Sequence, residues 1–246
     1  MRVPDNWRVF NTAETLAQQL TQEILALAEH AIATHGAFHF MTAGGSTPNR
    51  CYQLLSQADA DWAHWHIYMG DERVLPSEDK ARNSQALCKN WLAKVAIPQQ
   101  NRHFMQVEKG AQAAAQAYAC LLDKVEAFDL CLLGMGEDGH TASLFPNHAN
   151  GQSVQPVCCE QACDNDGAHA PIIIENHSPK APPQRVSLNY GAFSKCRLLI
   201  KLITGAAKQP AVAQWLNHQA NFPIALVKGQ QTKVYIDQAA LGQSNY

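Results

Sequence analysis

The sequence predicts an α/β fold: a mostly parallel, Rossmann-like sheet flanked by helices. Three observations carry that prediction. Short apolar runs at residues 38–42, 65–69, 128–133 and 197–204 alternate with stretches of helical periodicity along the 246 residues. Each run ends in a turn rich in glycine or polar residues. No Pro- or Gly-rich linker divides the chain, so a single domain over residues 1–246 is expected.

Residues 12–34 read as a helix. Thr12 can cap it, Glu14 follows in the first turn, and Leu16, Leu20, Ile24, Leu25 and Leu27 recur at helical spacing. Residues 38–42 form a strand, followed by Ala43-Gly44-Gly45-Ser46-Thr47-Pro48 and a helix predicted over about 49–56. A strand, a Gly-Gly turn, hydroxyls and a proline near the first helical turn make an anion cradle. Free N–H groups and the positive helix end both face the turn. Ordinary turns use the same residues. No Gly-Lys-Ser/Thr follows, so this is not a nucleoside-triphosphate loop, and it is not a dinucleotide fingerprint.

Residues 65–69 are a third apolar run, ending in Gly70-Asp71-Glu72-Arg73. Such a triplet serves either as a solvated ion pair or as a support for Arg73, whose planar fork suits a phosphate. Residues 104–107 are predicted as a short strand and 111–128 as an Ala-rich helix, which feeds the strand at 128–133 in a βαβ crossover. The near-continuous apolar character of 128–133 suits a central strand covered on both faces.

That strand runs into Gly134-Met135-Gly136-Glu137-Asp138-Gly139-His140-Thr141-Ala142-Ser143. Its glycines permit a sharp turn and close approach of a ligand. An imidazole is the side chain that changes charge near neutrality, and the carboxyl end of a parallel strand is where open α/β sheets bind ligands. His140 is therefore a candidate general base, and Asp138 stands two residues away. A surface-loop histidine without a task is the plain alternative.

Residues 147–170 show no clear periodicity and read as a surface insertion. An apolar run at 171–175 precedes Ser178-Pro179-Lys180-Ala181-Pro182-Pro183-Gln184-Arg185-Val186-Ser187-Leu188, in which Arg185 either braces a loop or reaches a ligand. Residues 197–204 are a strand, and Gly205-Ala206-Ala207-Lys208 opens a helix to about 217. Lys208 sits in a first helical turn, where the dipole favours anions; a cation there makes sense when a ligand phosphate joins it. Residues 223–227 and 234–236 are predicted as strands.

Composition narrows the function classes. Charged residues are 16% of the chain, the net charge is −2 and no basic run occurs, which argues against nucleic acid as a partner. No stretch approaches the length of a membrane span, and the first residues lack the apolar core of a signal peptide, so a cytoplasmic protein is expected. Of the eight cysteines, five lie in apolar or helical contexts and read as small buried hydrophobes. Cys158, Cys159 and Cys163 cluster near His148, His169 and His177, but no pair has the spacing of common zinc motifs, so no metal is expected.

Gly134 to Pro146, through Thr141-Ala142-Ser143-Leu144-Phe145, resembles the signature of 6-phosphogluconolactonases, within the larger family that includes glucosamine-6-phosphate deaminases. Deaminases share the Gly-x-Gly-x-Asp-Gly-His core but typically continue Ile-Ala-Phe-Asn-Glu-Pro. Asp71-Glu72-Arg73 is similar to the lactonase second motif, where deaminases usually carry Asp-Glu-Tyr. That motif continues with Ser-Asn; this chain has Asn83-Ser84, so only Arg73 is carried over. Gly44-Gly45-Ser46, the Ser178 to Leu188 segment and the Gly-x-x-Lys ending at Lys208 also match, with Ala181 and Ser187 departing from the family's proline and threonine.

The resemblance implies hydrolysis of 6-phospho-D-glucono-1,5-lactone to 6-phosphogluconate, in the oxidative pentose phosphate pathway. His140 would take a proton from water and Asp138 would orient it. Arg73 and Lys208 would hold the phosphate, with Gly44, Gly45, Ser46 and Arg185 as further substrate contacts. It implies no metal and no organic cofactor. The rival readings are an amino-sugar phosphate isomerase or deaminase and a sugar-phosphate-binding regulator that has lost catalysis. The sequence leaves the oligomeric state open.

Overall fold

A computed structural model of the chain describes residues 3–148, 152–154, 171–219 and 221–242. Eleven strands are found among them: β1 Trp7–Phe10, β2 Phe38–Thr42, β3 Trp65–Met69, β4 Asp71–Arg73, β5 Arg102–His103, β6 Phe128–Gly134, β7 Gln152–Val154, β8 Ile172–Glu175, β9 Arg185–Leu188, β10 Cys196–Ile203 and β11 Gln231–Asp237. The helices are α1 Ala13–His35, α2 Ser46–Leu55, α3 Asn83–Leu87, α4 Ala111–Asp123, α5 Tyr190–Ser194, α6 Gln209–Leu216, α7 Pro223–Leu226 and α8 Gln238–Leu241.

Seven strands form one sheet in the order β1-β11-β10-β6-β2-β3-β5, and every pairing in it is parallel. From β2 the chain moves outward through β3 to β5. It then returns to the other side of β2 as β6 and moves outward the opposite way. The switch point therefore lies between β2 and β6, and a crevice opens there at the strands' carboxyl ends. A second, antiparallel sheet of order β4-β9-β8-β7 adds to this core.

Period-2 alternation explains why β6 is apolar throughout. Leu130 and Leu132 face one core with α1, α2, Trp65 and Trp91. Cys131 and Leu133 face the other, with α4, α6 and the Ile172–Ile174 run of the second sheet. Helix α1 starts at a reciprocal cap: Thr12 Oγ1 accepts from the Thr15 amide and Thr15 Oγ1 accepts from the Thr12 amide, both at 3.1 Å. It ends where Gly36 adopts φ 86°, a left-handed C-cap.

The predicted strand at 223–227 is instead helix α7. Pro223 occupies its first turn, where the fixed φ of proline favours a helix start, and a short apolar run does not by itself distinguish the two states. Residues 104–107 are not a strand either. The ladder stops at His103, because the Met105 carbonyl is taken by Arg82 Nη2 and by the Val107 amide. Helix α4 ends at Asp123, short of the predicted 128, and α2 begins at Ser46, ahead of the predicted 49. Asp71–Arg73, expected as a loop, is a strand of the second sheet, and β1 forms where no strand was expected. Of the insertion predicted at 147–170, residues 149–151 and 155–170 lie outside the described residues, with Cys158, Cys159, Cys163 and His169 among them.

Candidate active site

The loops after β2, β3, β6 and β10 converge on one cavity of about 330 Å³. Gly44, Gly45 and Ser46 line it from the β2 turn, Arg73 from β4, His140 from the β6 turn, and Lys208 from the turn after β10. Arg185 reaches it from β9. Asp138 is held beside it through His140. The structure thus brings the sequence-predicted residues to one crevice at the switch point.

The β6 turn is built to aim His140. Its Nδ1 lies 2.5 Å from Asp138 Oδ1. An ionised carboxylate can only accept, so Nδ1 carries the proton and Nε2 keeps its lone pair for a ligand. The Gly136 amide donates to the His140 carbonyl at 2.8 Å, closing the turn. A Cβ at Gly136 would stand 2.0 Å from His140 Nδ1, so only glycine leaves room for the ring. Phe145 covers the imidazole, with ring centroids 4.8 Å apart. Helix α7 braces the turn, its Ile224 amide donating to the Gly139 carbonyl at 3.2 Å. Partial burial raises the Asp138 carboxyl, but the hydrogen bond and charge of His140 outweigh that and hold it well below the usual carboxylate range.

Four cations line the cavity: Arg73, Lys180, Arg185 and Lys208. Arg73 donates Nη1 to the Ala81 carbonyl, while its buried Nε has no hydrogen-bond partner among the described residues. Burial lowers the Lys208 ammonium from its ordinary value; Glu137 and Asp138 oppose this and Lys180 adds to it. Arg185 is 5% exposed and donates to the carbonyls of Lys180 and Pro182 at 3.0 and 3.3 Å, so it braces the loop that carries Lys180. The first turn of α2 is tied across the cleft where Thr47 Oγ1 meets Thr204 Oγ1 at 2.5 Å.

Sequence reasoning assigned no role to Lys180 or Asn83, and both line the cavity. Lys180 carried a signal, a lysine inside the matching Ser-Pro-Lys segment. Asn83 carries no such signal, because Asn83-Ser84 reverses the family order. Among the described residues no group of three or more His, Cys, Asp or Glu is placed to hold a metal ion. His148 and His177 instead meet Glu175, through the His148 ring at 3.2 Å and the His177 amide at 2.6 Å. No described helix is long and apolar enough to cross a membrane.

Residues 11–236 match the sequence family described as glucosamine-6-phosphate isomerases/6-phosphogluconolactonase. The chain is 34% identical over 209 residues to the human GDH/6PGL endoplasmic bifunctional protein; the match covers 80% of this chain and 24% of that protein, so the chain spans about a quarter of that relative's length. It is 30% identical over 228 residues to the probable 6-phosphogluconolactonase of Drosophila melanogaster, covering 90% of this chain and 88% of the relative. Among solved structures, a 6-phosphogluconolactonase from Shewanella baltica is similar with a TM-score of 0.72 and 27% identity, over 94% of this chain and 97% of that one. A monomeric glucosamine-6-phosphate deaminase superposes with a TM-score of 0.77 at 17% identity, over 97% and 99% of the two chains. Fold alone therefore does not separate the two chemistries.

Proposed function

The chain belongs to the glucosamine-6-phosphate isomerase/6-phosphogluconolactonase family, and within it we propose that the protein hydrolyses 6-phospho-D-glucono-1,5-lactone to 6-phosphogluconate. The observation that carries this reading is the His140–Asp138 pair beside a cation-lined cavity: an oriented base with a free Nε2 next to groups suited to a phosphate. Relatives named 6-phosphogluconolactonase support it.

In this mechanism His140 Nε2 takes a proton from water as the water oxygen attacks the lactone carbonyl. N–H groups of a glycine turn hold the oxyanion of the tetrahedral intermediate. The carbonyl re-forms, the bond from the carbonyl carbon to the ring oxygen breaks, and that oxygen takes the proton back from His140. Arg73 and Lys208 bind the phosphate and Arg185 braces the Lys180 loop. Gly44, Gly45 and Ser46 supply the cradle at the start of α2. A small-molecule lactone as partner, a role in the oxidative pentose phosphate pathway and a cytoplasmic location belong to the same proposal.

The test is an assay of the purified protein on freshly made phosphogluconolactone beside glucosamine 6-phosphate. Accelerated lactone opening with no ammonia release is expected. Ammonia release from the amino sugar, with no effect on the lactone, would overturn the reading.

A further inference from the structure

The cavity is rich in donors: Arg73, Lys180, Arg185 and Lys208 can only donate. A sugar lactone presents a phosphate and ring carbonyl that only accept, and ring hydroxyls whose O–H groups can donate as well. A site that reads those hydroxyls needs a fixed acceptor, and Asn83 supplies one.

Asp71 fixes the orientation of its amide. Asn83 Nδ2 donates to the Asp71 backbone carbonyl at 3.1 Å and to Asp71 Oδ1 at 3.0 Å. Both partners are acceptors, so the amide cannot be turned round. The other carboxylate oxygen, Oδ2, accepts from Ser143 Oγ at 2.8 Å, and Asp71 is buried. Asn83 Oδ1 is left with no donor among the described residues. It stands over Gly44, where a Cβ would meet it at 2.4 Å.

The backbone beneath Asn83 is held as firmly. Glu72 is fully buried. Its Oε1 accepts from the Arg73 and Asn83 amides at 2.8 and 2.7 Å, and its Oε2 from the Ser84 amide at 2.9 Å. One carboxylate thus sets both Arg73 and Asn83, across the intervening loop. Arg82 Nε adds a side-chain contact to Oε2 at 3.4 Å. A buried carboxylate committed to three backbone N–H groups and one guanidinium is a positioning device.

We propose that Asn83 is a specificity residue whose Oδ1 accepts a hydrogen bond from a ring hydroxyl of the substrate, with Asp71 and Glu72 as its positioning residues. This rests on the lactone reading above. A built acceptor discriminates strongly against analogues that lack the matching hydroxyl, because the site's polar atom is then left unpaired.

The experiment is a double-mutant cycle between Asn83→Ala and the substrate. Asn83→Ala keeps the backbone N–H that Glu72 holds. Wild type and variant are assayed on phosphogluconolactone and on analogues that each lack one ring hydroxyl. Calorimetry of 6-phosphogluconate and the matching deoxy acids runs alongside, so that binding is read without turnover. One deoxy analogue should cost wild type about 5- to 100-fold in kcat/KM or Kd and cost Asn83→Ala nothing further. Losses that multiply for every analogue, or a variant equal to wild type on the full substrate, would overturn the proposal. Wild type that binds these acids with the expected cycle yet opens no lactone would overturn the function reading and leave Asn83 standing.

Discussion

His140 Nδ1 donates to Asp138 Oδ1 across 2.5 Å, and this contact decides which ring nitrogen faces the cavity. General-base help is typically worth 10²–10⁴-fold. His140→Ala should therefore lower kcat by about that range with KM near wild type, in steady-state kinetics on the lactone. Asp138→Asn should cost less, because the imidazole base itself remains and only its orientation and tautomer are loosened. Equal losses in the two variants would show that Asp138 does more than orient the imidazole.

Gly136→Ala tests the same alignment while leaving both polar side chains in the sequence. The new Cβ would lie 2.0 Å from His140 Nδ1 and 2.6 Å from Asp138 Oδ1. Gly136 does not have the positive φ that would strain alanine, so the clash is with the pair itself. We expect kcat to fall at least about tenfold, since small misplacements of a base are costly, with the melting temperature nearly unchanged. Full activity would mean that the ring has room to move and still react.

Much of this arrangement is legible in the sequence. The strands at 38–42 and 65–69 are found with those bounds, because buried parallel strands are continuous apolar runs that end at a turn. His140, Arg73 and Lys208 are legible because each follows such a run. Asn83 is not, because its place depends on hydrogen bonds it donates to Glu72 and Asp71, which lie more than ten residues away. The second sheet is equally hidden. Its strands β4 and β9 read as a charged triplet and the end of a proline-rich stretch, and only their antiparallel register shows them as strands. The run at 223–227 carries five residues of ambiguous pattern, and proline decides it only once the packing on Gly139 is seen.

The cation pair yields a selective prediction. Hydrogen bonds to charged groups contribute about 1.5–3 kcal/mol each. Arg73→Ala or Lys208→Ala should raise KM for phosphogluconolactone by roughly 10- to 150-fold, with a smaller change in kcat. Arg73→Lys should not restore full affinity, because a point charge cannot reproduce the bidentate fork. On unphosphorylated gluconolactone the alanine variants should match wild type within a few-fold. Equal losses on both lactones would assign these residues to the fold or to the chemistry and leave the phosphate to another group.

Lys201 gives a prediction away from the cavity, with its sign set by burial. It lies in β10, 2% exposed. Its Nζ is 3.3 Å from the Ala225 carbonyl and 5.2 Å from the Trp215 ring centroid. Burial, with Lys228 adding, lowers its pKa from 10.5 to about 8. Near pH 7 the lysine is charged in both folded and unfolded chains, so the full cost of burying the ammonium is present. As pH rises through 8 the folded chain loses this proton while the unfolded chain keeps it until about 10.5. The unfolded state then binds more protons, so this residue makes stability rise with pH across that window, by about 3 kcal/mol in all. Lys201→Met should stabilise the protein near neutral pH by about 1–3 kcal/mol, since an apolar side chain of similar volume removes the buried charge. It should also abolish the alkaline rise. Urea denaturation midpoints of both proteins, taken at intervals from pH 7 to 10.5, measure the two effects together. The difference between them should shrink as pH increases; a constant difference would mean that the ammonium is not paying a desolvation cost in the folded state.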